Sequence, residues 1–209
     1  MKSLFSIALL AATAIAEEQK TLNDKCYALA LSGGGNNGAW EVGVLWGFAH
    51  YGNLDEFRYE VVTGVSAGSI NTSFIAGYDI GDELQCSEDG ADLWTNLHTS
   101  DVWKDWKLGK LSGALMEPGM LDDAPLLNFL QKMTSPFTSI KRRVVMSAVN
   151  ADTGEYTDFT RDNIDVWELP HAAVSSASIP FVFPHHDWRL GTFMDGGTVI
   201  NVNVASAIN

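Results

Sequence analysis

Along this chain, short apolar runs alternate with segments in which apolar residues recur every three or four positions. "YALAL", Tyr27 to Leu31, is too short for a helix and is bounded by Ser32 and glycines, so it predicts a fully buried strand. From Ala39 to Tyr51, Trp40, Val44 and Phe48 recur at helical spacing with Leu45 beside them, and Gly52 and Asn53 supply a stop. Tyr59 to Thr63 predicts a second strand, followed at once by Gly64 and a helical segment from Ser66 to Tyr78. Strand, loop, helix, strand is a right-handed βαβ unit.

The middle of the chain is less regular. Helical stretches are predicted near Ala91 to Leu97 and Ala124 to Met133, separated by a linker rich in Gly and Trp. Val144 to Val149 reads as a buried strand, followed by a turn at Asp152 to Gly154 and a short strand at Tyr156 to Phe159. A helix from Ala172 to Ser178 stops at Pro180, and "TFMDGG" gives a last strand ending in Asp195. With no internal repeat, low-complexity tract or domain linker, the alternation predicts one α/β sandwich on a mainly parallel sheet.

The N-terminus changes the domain bounds. "MKSLFSIALLAATAIAEEQ" carries a basic Lys2, an apolar run from Leu4 to Ile15 and Ala14-Ile15-Ala16 before charge resumes, the shape of a secretory signal peptide cleaved after Ala16. The run is too short to span a bilayer. Residues 1–16 are therefore expected to be removed, residues 17–209 to form the domain, and the protein to be secreted or held in the endomembrane lumen. A net charge of −13 argues against nucleic acid as a partner and otherwise signals solubility. In an oxidising compartment the only two cysteines, Cys26 and Cys86, favour a disulfide, with two buried thiols as the alternative.

Candidate chemistry gathers at glycines that follow strands. Gly33, Gly35 and Gly38 match G-x-G-x-x-G, and a glycine loop between a strand and a helix aims backbone N–H groups at an anion. Alone, this would suit a dinucleotide, with Asp55 or Glu56 placed to hold a ribose. The second strand ends differently. In "GVSAG", Gly64 and Gly68 flank Ser66 in the pattern of a nucleophile elbow, which presents the serine Oγ at a helix N-terminus where the dipole favours negative charge. Both loops leave the C-terminal edge of a parallel sheet, so the first is read as an oxyanion site built from the N–H groups of Gly34 and Gly35. A base for Ser66 is offered by Asp195 of "DGG", followed by Gly196 and Gly197, although an isolated Asp-Gly would ordinarily be only a turn.

In this order, "GGGNNG", "GVSAG" and "DGG" resemble the patatin-like phospholipases, lipid acyl hydrolases that use a Ser-Asp dyad. "SSASIPFVFP", Ser175 to Pro184, resembles the family segment that precedes the aspartate strand, and "MLDDAPLLNFL" the one that introduces a mid-domain helix. The likeness runs from Ala28 to about Asn203. It implies a three-layer sandwich with a nucleophile elbow, Ser66 as nucleophile, Asp195 as proton acceptor, the Gly33 to Gly38 loop as oxyanion hole, a lipid ester substrate, and no metal or cofactor. Two departures stand out. Asn37 occupies a position where the family usually carries Arg or Lys, and the chain ends at Asn209, soon after Asp195, as if C-terminal elements of the domain were missing.

Other readings stay open at this level. A Ser-His-Asp hydrolase of the α/β-hydrolase type would need Asp152 or Asp165 with His185 or His186, because no histidine follows Asp195. That fold normally has several strands before its elbow, and here one precedes it. His185, His186 and Asp187 could suggest a metal, but beside Pro184 they read as a polar loop. Residues 102–121 interleave Trp103, Trp106, Leu108, Leu111 and Met116 with Lys104, Lys107 and Lys110, a pattern suited either to a lipid surface or to covering the core beside the site. A catalytically silent lipid-binding or storage protein would share all of these features.

Overall fold

The computed structural model describes residues 25–107, 109 and 118–208. Residues 1–24, which include the expected signal segment 1–16, residue 108, residues 110–117 and residue 209 lie outside the described residues. The strands are β1 (Tyr27–Leu31), β2 (Tyr59–Val65), β3 (Arg143–Asn150), β4 (Tyr156–Thr160), β5 (His186–Trp188) and β6 (Gly191–Asp195). The helices are α1 (Gly38–Tyr51), α2 (Ala67–Ile75), α3 (Glu83–Asn96), α4 (Thr99–Val102), α5 (Ala124–Thr134), α6 (Leu169–Ala177) and α7 (Val204–Ile208). The α/β sandwich expected from the sequence is present, and its parallel part, β1-β2-β3, is flanked by antiparallel β4, β5 and β6.

Strand register explains how the site is assembled. β3 pairs with β4 along one edge, and on its other edge it pairs first with β2 and then with β6. Val65, the last residue of β2, lies opposite Ser147, while Asp195, the last residue of β6, lies opposite the next residue, Ala148. Two strands running in opposite directions therefore meet end to end on one edge of β3. The residue after Val65 is Ser66, so this meeting brings Ser66 to Asp195.

The helical layer packs on one face, where Leu126, Leu130, Val144, Met146, Phe159, Leu169 and Phe193 form the larger core cluster and Leu31, Val62, Phe74, Ile75 and Cys86 a second. Across the sheet, α7 packs on β1 and β2, and the Thr63 hydroxyl donates to the Asn203 carbonyl at 2.9 Å.

Several local expectations are corrected. β1 is not fully buried: it pairs with β2 alone, at the end of the strand order, and only Leu31 is buried. Along α1 the buried residues are Gly38, Val42 and Ala49, while Trp40 is 73% exposed. The reason is close packing on α3: a Cβ on Gly38 would fall 2.6 Å from the Trp94 ring, and one on Gly90 would fall 3.1 Å from Val42. With the Trp94 ring filling it, the seam leaves no room for a side chain at Gly38, and the aromatic residues Trp40 and Phe48 of α1 stand outside it. α2 begins at Ala67 because Ser66 is not helical, and α6 begins at Leu169 because Pro170 is tolerated in a first turn.

The cysteines are both free, which overturns the expected disulfide. Cys26 is exposed beside Glu60 at the start of β1, whereas Cys86 is buried in α3 within the second cluster, where burial pushes its thiol up to about 12.

Candidate active site

Ser66 caps α2 with φ 54 and ψ −120, a left-handed backbone that a serine adopts only when its surroundings enforce it. The enforcement is visible in the flanking glycines. A Cβ on Gly64 would overlap the Gly68 carbonyl oxygen and the Thr72 hydroxyl, and one on Gly68 would lie 2.7 Å from the Leu31 carbonyl. The sharp turn of "GVSAG" can close only if both positions lack side chains.

A buried serine on α6 completes the turn. The Ser66 N–H donates to Ser176 Oγ at 2.8 Å, the Ser69 hydroxyl lies 2.8 Å from the same oxygen, and Ser176 Oγ donates to the Ser147 carbonyl at 2.6 Å. Ser176 thus ties the elbow to β3. Sequence reasoning missed it, although the residue stands inside the "SSASIPFVFP" segment, where Ser175 and Ser178 are buried as fully and nothing in the sequence singles Ser176 out.

At the end of β6, the Asp195 carboxylate accepts the Gly197 N–H at 2.7 Å and has the Ser66 side chain as its neighbour. Burial raises the carboxyl above the usual aspartate range, and the neighbouring Ser66 side chain and the Gly197 N–H oppose that shift. Gly196 permits the approach, since a Cβ there would overlap the Ser147 carbonyl oxygen.

The glycine loop is held from the C-terminal side. The Gly33 N–H donates to the Asn201 carbonyl at 3.0 Å and the Asn201 amide returns a bond to the Gly33 carbonyl at 3.2 Å. Asn201 is a second residue that sequence reasoning missed. With the Gly33 N–H occupied, the N–H groups of Gly34 and Gly35 are left without a partner among the described residues, and Gly35 is left-handed at φ 57. The start of the loop is anchored by Glu41, which accepts the Ser32 N–H at 2.7 Å and the Asn71 amide at 3.0 Å. Asn71 is therefore a buried structural residue.

Beside Ser66 a cavity of about 610 Å³ opens, with Gly35 and Ala67 at the serine and Ile70, Leu126, Phe129 and Val182 among its apolar walls. Such a cavity takes an apolar chain attached to a group that Ser66 can reach. The dinucleotide reading loses its acidic partner: Asp55 and Glu56 stand just before β2, at the opposite end of that strand from Ser66. Two residues of the triad reading, His186 and Asp165, are engaged elsewhere. His186 is paired with His171 at 3.0 Å, and burial pushes its pKa down to about 4. Asp165 caps the Val166–Glu168 turn. His98 lines the Ser66 cavity, and its backbone caps α4: its carbonyl accepts the Asp101 N–H at 2.9 Å and its own N–H donates to the Asp101 carboxylate at 2.9 Å.

The profile of the patatin-like phospholipases matches residues 29–208. Among solved structures, the crystal structure of VipD from Legionella pneumophila is similar at 14% identity and a TM-score of 0.48, over 85% of this chain and 46% of that one. The chain thus spans less than half the length of that protein. No curated protein matches. With nearly the whole described chain inside the matched range, the protein belongs to the patatin-like phospholipase family.

Proposed function

We propose that the protein is a lipid acyl hydrolase in which Ser66 is the nucleophile and Asp195 the general base. The observation that carries this reading is the end-to-end meeting of β2 and β6, which brings Ser66 and Asp195 together at one edge of β3. Ser66 Oγ attacks the ester carbonyl as its proton passes to Asp195, and the carbonyl oxygen becomes an oxyanion met by the N–H groups of Gly34 and Gly35. Collapse expels the alcohol, which takes the proton from Asp195 and leaves an acyl-enzyme. Asp195 then draws a proton from water, whose attack releases the fatty acid and restores Ser66. The raised pKa of Asp195 helps, because a more basic carboxylate is a better acceptor of a serine proton. The acyl chain occupies the apolar cavity. Within the same reading, residues 1–16 are a signal peptide, residues 17–209 are the hydrolase domain of a secreted or lumenal protein, and residues 102–121 meet the lipid surface.

The family supports hydrolysis of lipid esters as a class, and product analysis tests it for this chain. Incubation with phosphatidylcholine and with p-nitrophenyl butyrate is expected to release free fatty acid from the first and p-nitrophenol from the second, with the phosphate headgroup still attached to glycerol. Stoichiometric lipid binding without either product would assign the protein to lipid storage instead.

Ser176 provides a further expectation. Ser176→Ala leaves the Ser66 N–H and the Ser147 carbonyl without their buried partner, which should cost about 1–3 kcal/mol of stability. It should also lower kcat by roughly tenfold through misplacement of the nucleophile, with KM little changed. A thermal melt and steady-state kinetics on the same preparation check both.

A further inference from the structure

Three segments run side by side at the rim of the Ser66 cavity. Lys104 and Asp122 exchange backbone hydrogen bonds of 3.0 Å in both directions, and the N–H groups of Met120 and Leu121 donate to the carbonyls of Phe181 and Val182 at 3.0 and 2.9 Å. Toward the interior these segments contribute Trp103, Leu121, Ile179 and Val182 to the cavity wall. Toward the outside they present Phe181, 88% exposed, with Met120 and Ile179 partly exposed beside it.

Phe181 is the one described residue besides Ser66 that is not glycine yet has a left-handed backbone, at φ 68. An aromatic side chain gains nothing locally from that conformation. It is imposed by the turn, in which the N–H groups of Val182 and Phe183 both donate to the Ile179 carbonyl, at 3.1 and 2.9 Å. That turn buries Phe183 and throws Phe181 outward. Gly119 locks it from behind, since a Cβ there would lie 2.5 Å from the Phe183 carbonyl carbon. A strained, rigidly supported aromatic residue that covers no core is a feature that function has to explain.

We propose that Phe181, flanked by Met120 and Ile179, inserts into a neutral, zwitterionic phospholipid surface and holds the mouth of the Ser66 cavity against it. The inference rests on the lipid hydrolase reading. Charge selects the kind of surface. The whole chain carries −13, Lys104 is paired with Asp122 at 3.2 Å, and Asp101, Asp105, Asp122 and Asp123 outnumber Lys104 and Lys107 in the same segments. An anionic leaflet therefore repels this face, and attachment depends on buried apolar surface.

The test uses the full chain as wild type, Phe181→Gly and Phe181→Leu. Glycine is at ease at φ 68, so the first variant removes the side chain while preserving the turn. Co-sedimentation with phosphatidylcholine vesicles is expected to fall by about tenfold or more in Phe181→Gly and to recover most of that loss in Phe181→Leu. Addition of phosphatidylserine to the vesicles should weaken wild-type binding. The apparent KM for vesicular phosphatidylcholine should rise in the glycine variant, while turnover of soluble p-nitrophenyl butyrate stays the same. Unchanged sedimentation of Phe181→Gly would overturn the insertion, and tighter binding to vesicles containing phosphatidylserine would overturn the neutral surface. A wild type that sediments in this Phe181-dependent way yet releases no fatty acid would remove the hydrolase reading and leave the docking in place.

Discussion

Asp195→Asn is expected to lower ester turnover on the order of 10³-fold while leaving the protein at least as stable as the wild type at neutral pH. The amide can still accept the Gly197 N–H, so the loop after β6 keeps its local bond. It cannot take a proton from Ser66, and the step that generates the nucleophile is lost. The stability half follows from linkage. Burial raises the Asp195 carboxyl above its unfolded value, so folding favours the protonated form. That favourable contribution is full below the unfolded pKa and disappears as pH rises through the folded one, so at neutral pH the ionised carboxylate weighs against the fold. A neutral amide removes that burden. Wild-type activity runs the other way: it requires the ionised base, and kcat should rise with pH through the elevated Asp195 pKa. Loss of activity together with a lower melting temperature would mean that Asp195 holds the fold and not the proton.

The second large effect lies in the elbow. Gly64→Ala should destabilise the protein by about 3 kcal/mol, because the new methyl group collides with the Gly68 carbonyl oxygen and the Thr72 hydroxyl inside a turn already fixed by Ser176. For a domain of this size that corresponds to a melting temperature lower by roughly 6–12 °C. Gly43→Ala is the matched control. Its Cβ would meet nothing within 4 Å, and in the interior of α1 alanine is the better helix former, so this variant should melt at or slightly above the wild-type temperature. Equal melting temperatures for both variants would show that the elbow is looser than its contacts indicate.

Much of this architecture could be read locally. β1 and β2 are short apolar runs closed by glycine, and the loops that follow them carry their chemistry in consecutive residues, so both were legible from spacing alone. The apposition of Ser66 and Asp195 was not. It depends on β6 running antiparallel to β3 and stopping one residue beyond the end of β2, a register set by contacts between residues distant in the chain. Ser176 and Asn201 escaped for a related reason: each acts through hydrogen bonds to backbone groups distant in sequence, and neither stands in a motif that names its partner. Trp40 and Phe48 misled because their helical spacing marks an apolar face without saying whether a neighbour covers it. The covered face is the one where Gly38 and Val42 let α3 approach. The cysteine pair misled because compartment chemistry favours bridging, whereas Cys86 is turned into the core and Cys26 toward solvent.

The most direct measurement of the proposed dyad is covalent labelling by a fluorophosphonate, followed by intact mass and peptide mapping, on the wild type, Ser66→Ala, Asp195→Asn and the five single variants that replace His50, His98, His171, His185 and His186 by Gln. The dyad predicts one adduct per chain, mapped to Ser66, at wild-type rates in every histidine variant, with strongly slowed labelling in Asp195→Asn and none in Ser66→Ala. A histidine variant as unreactive as Ser66→Ala, with Asp195→Asn still labelled at the wild-type rate, would contradict it.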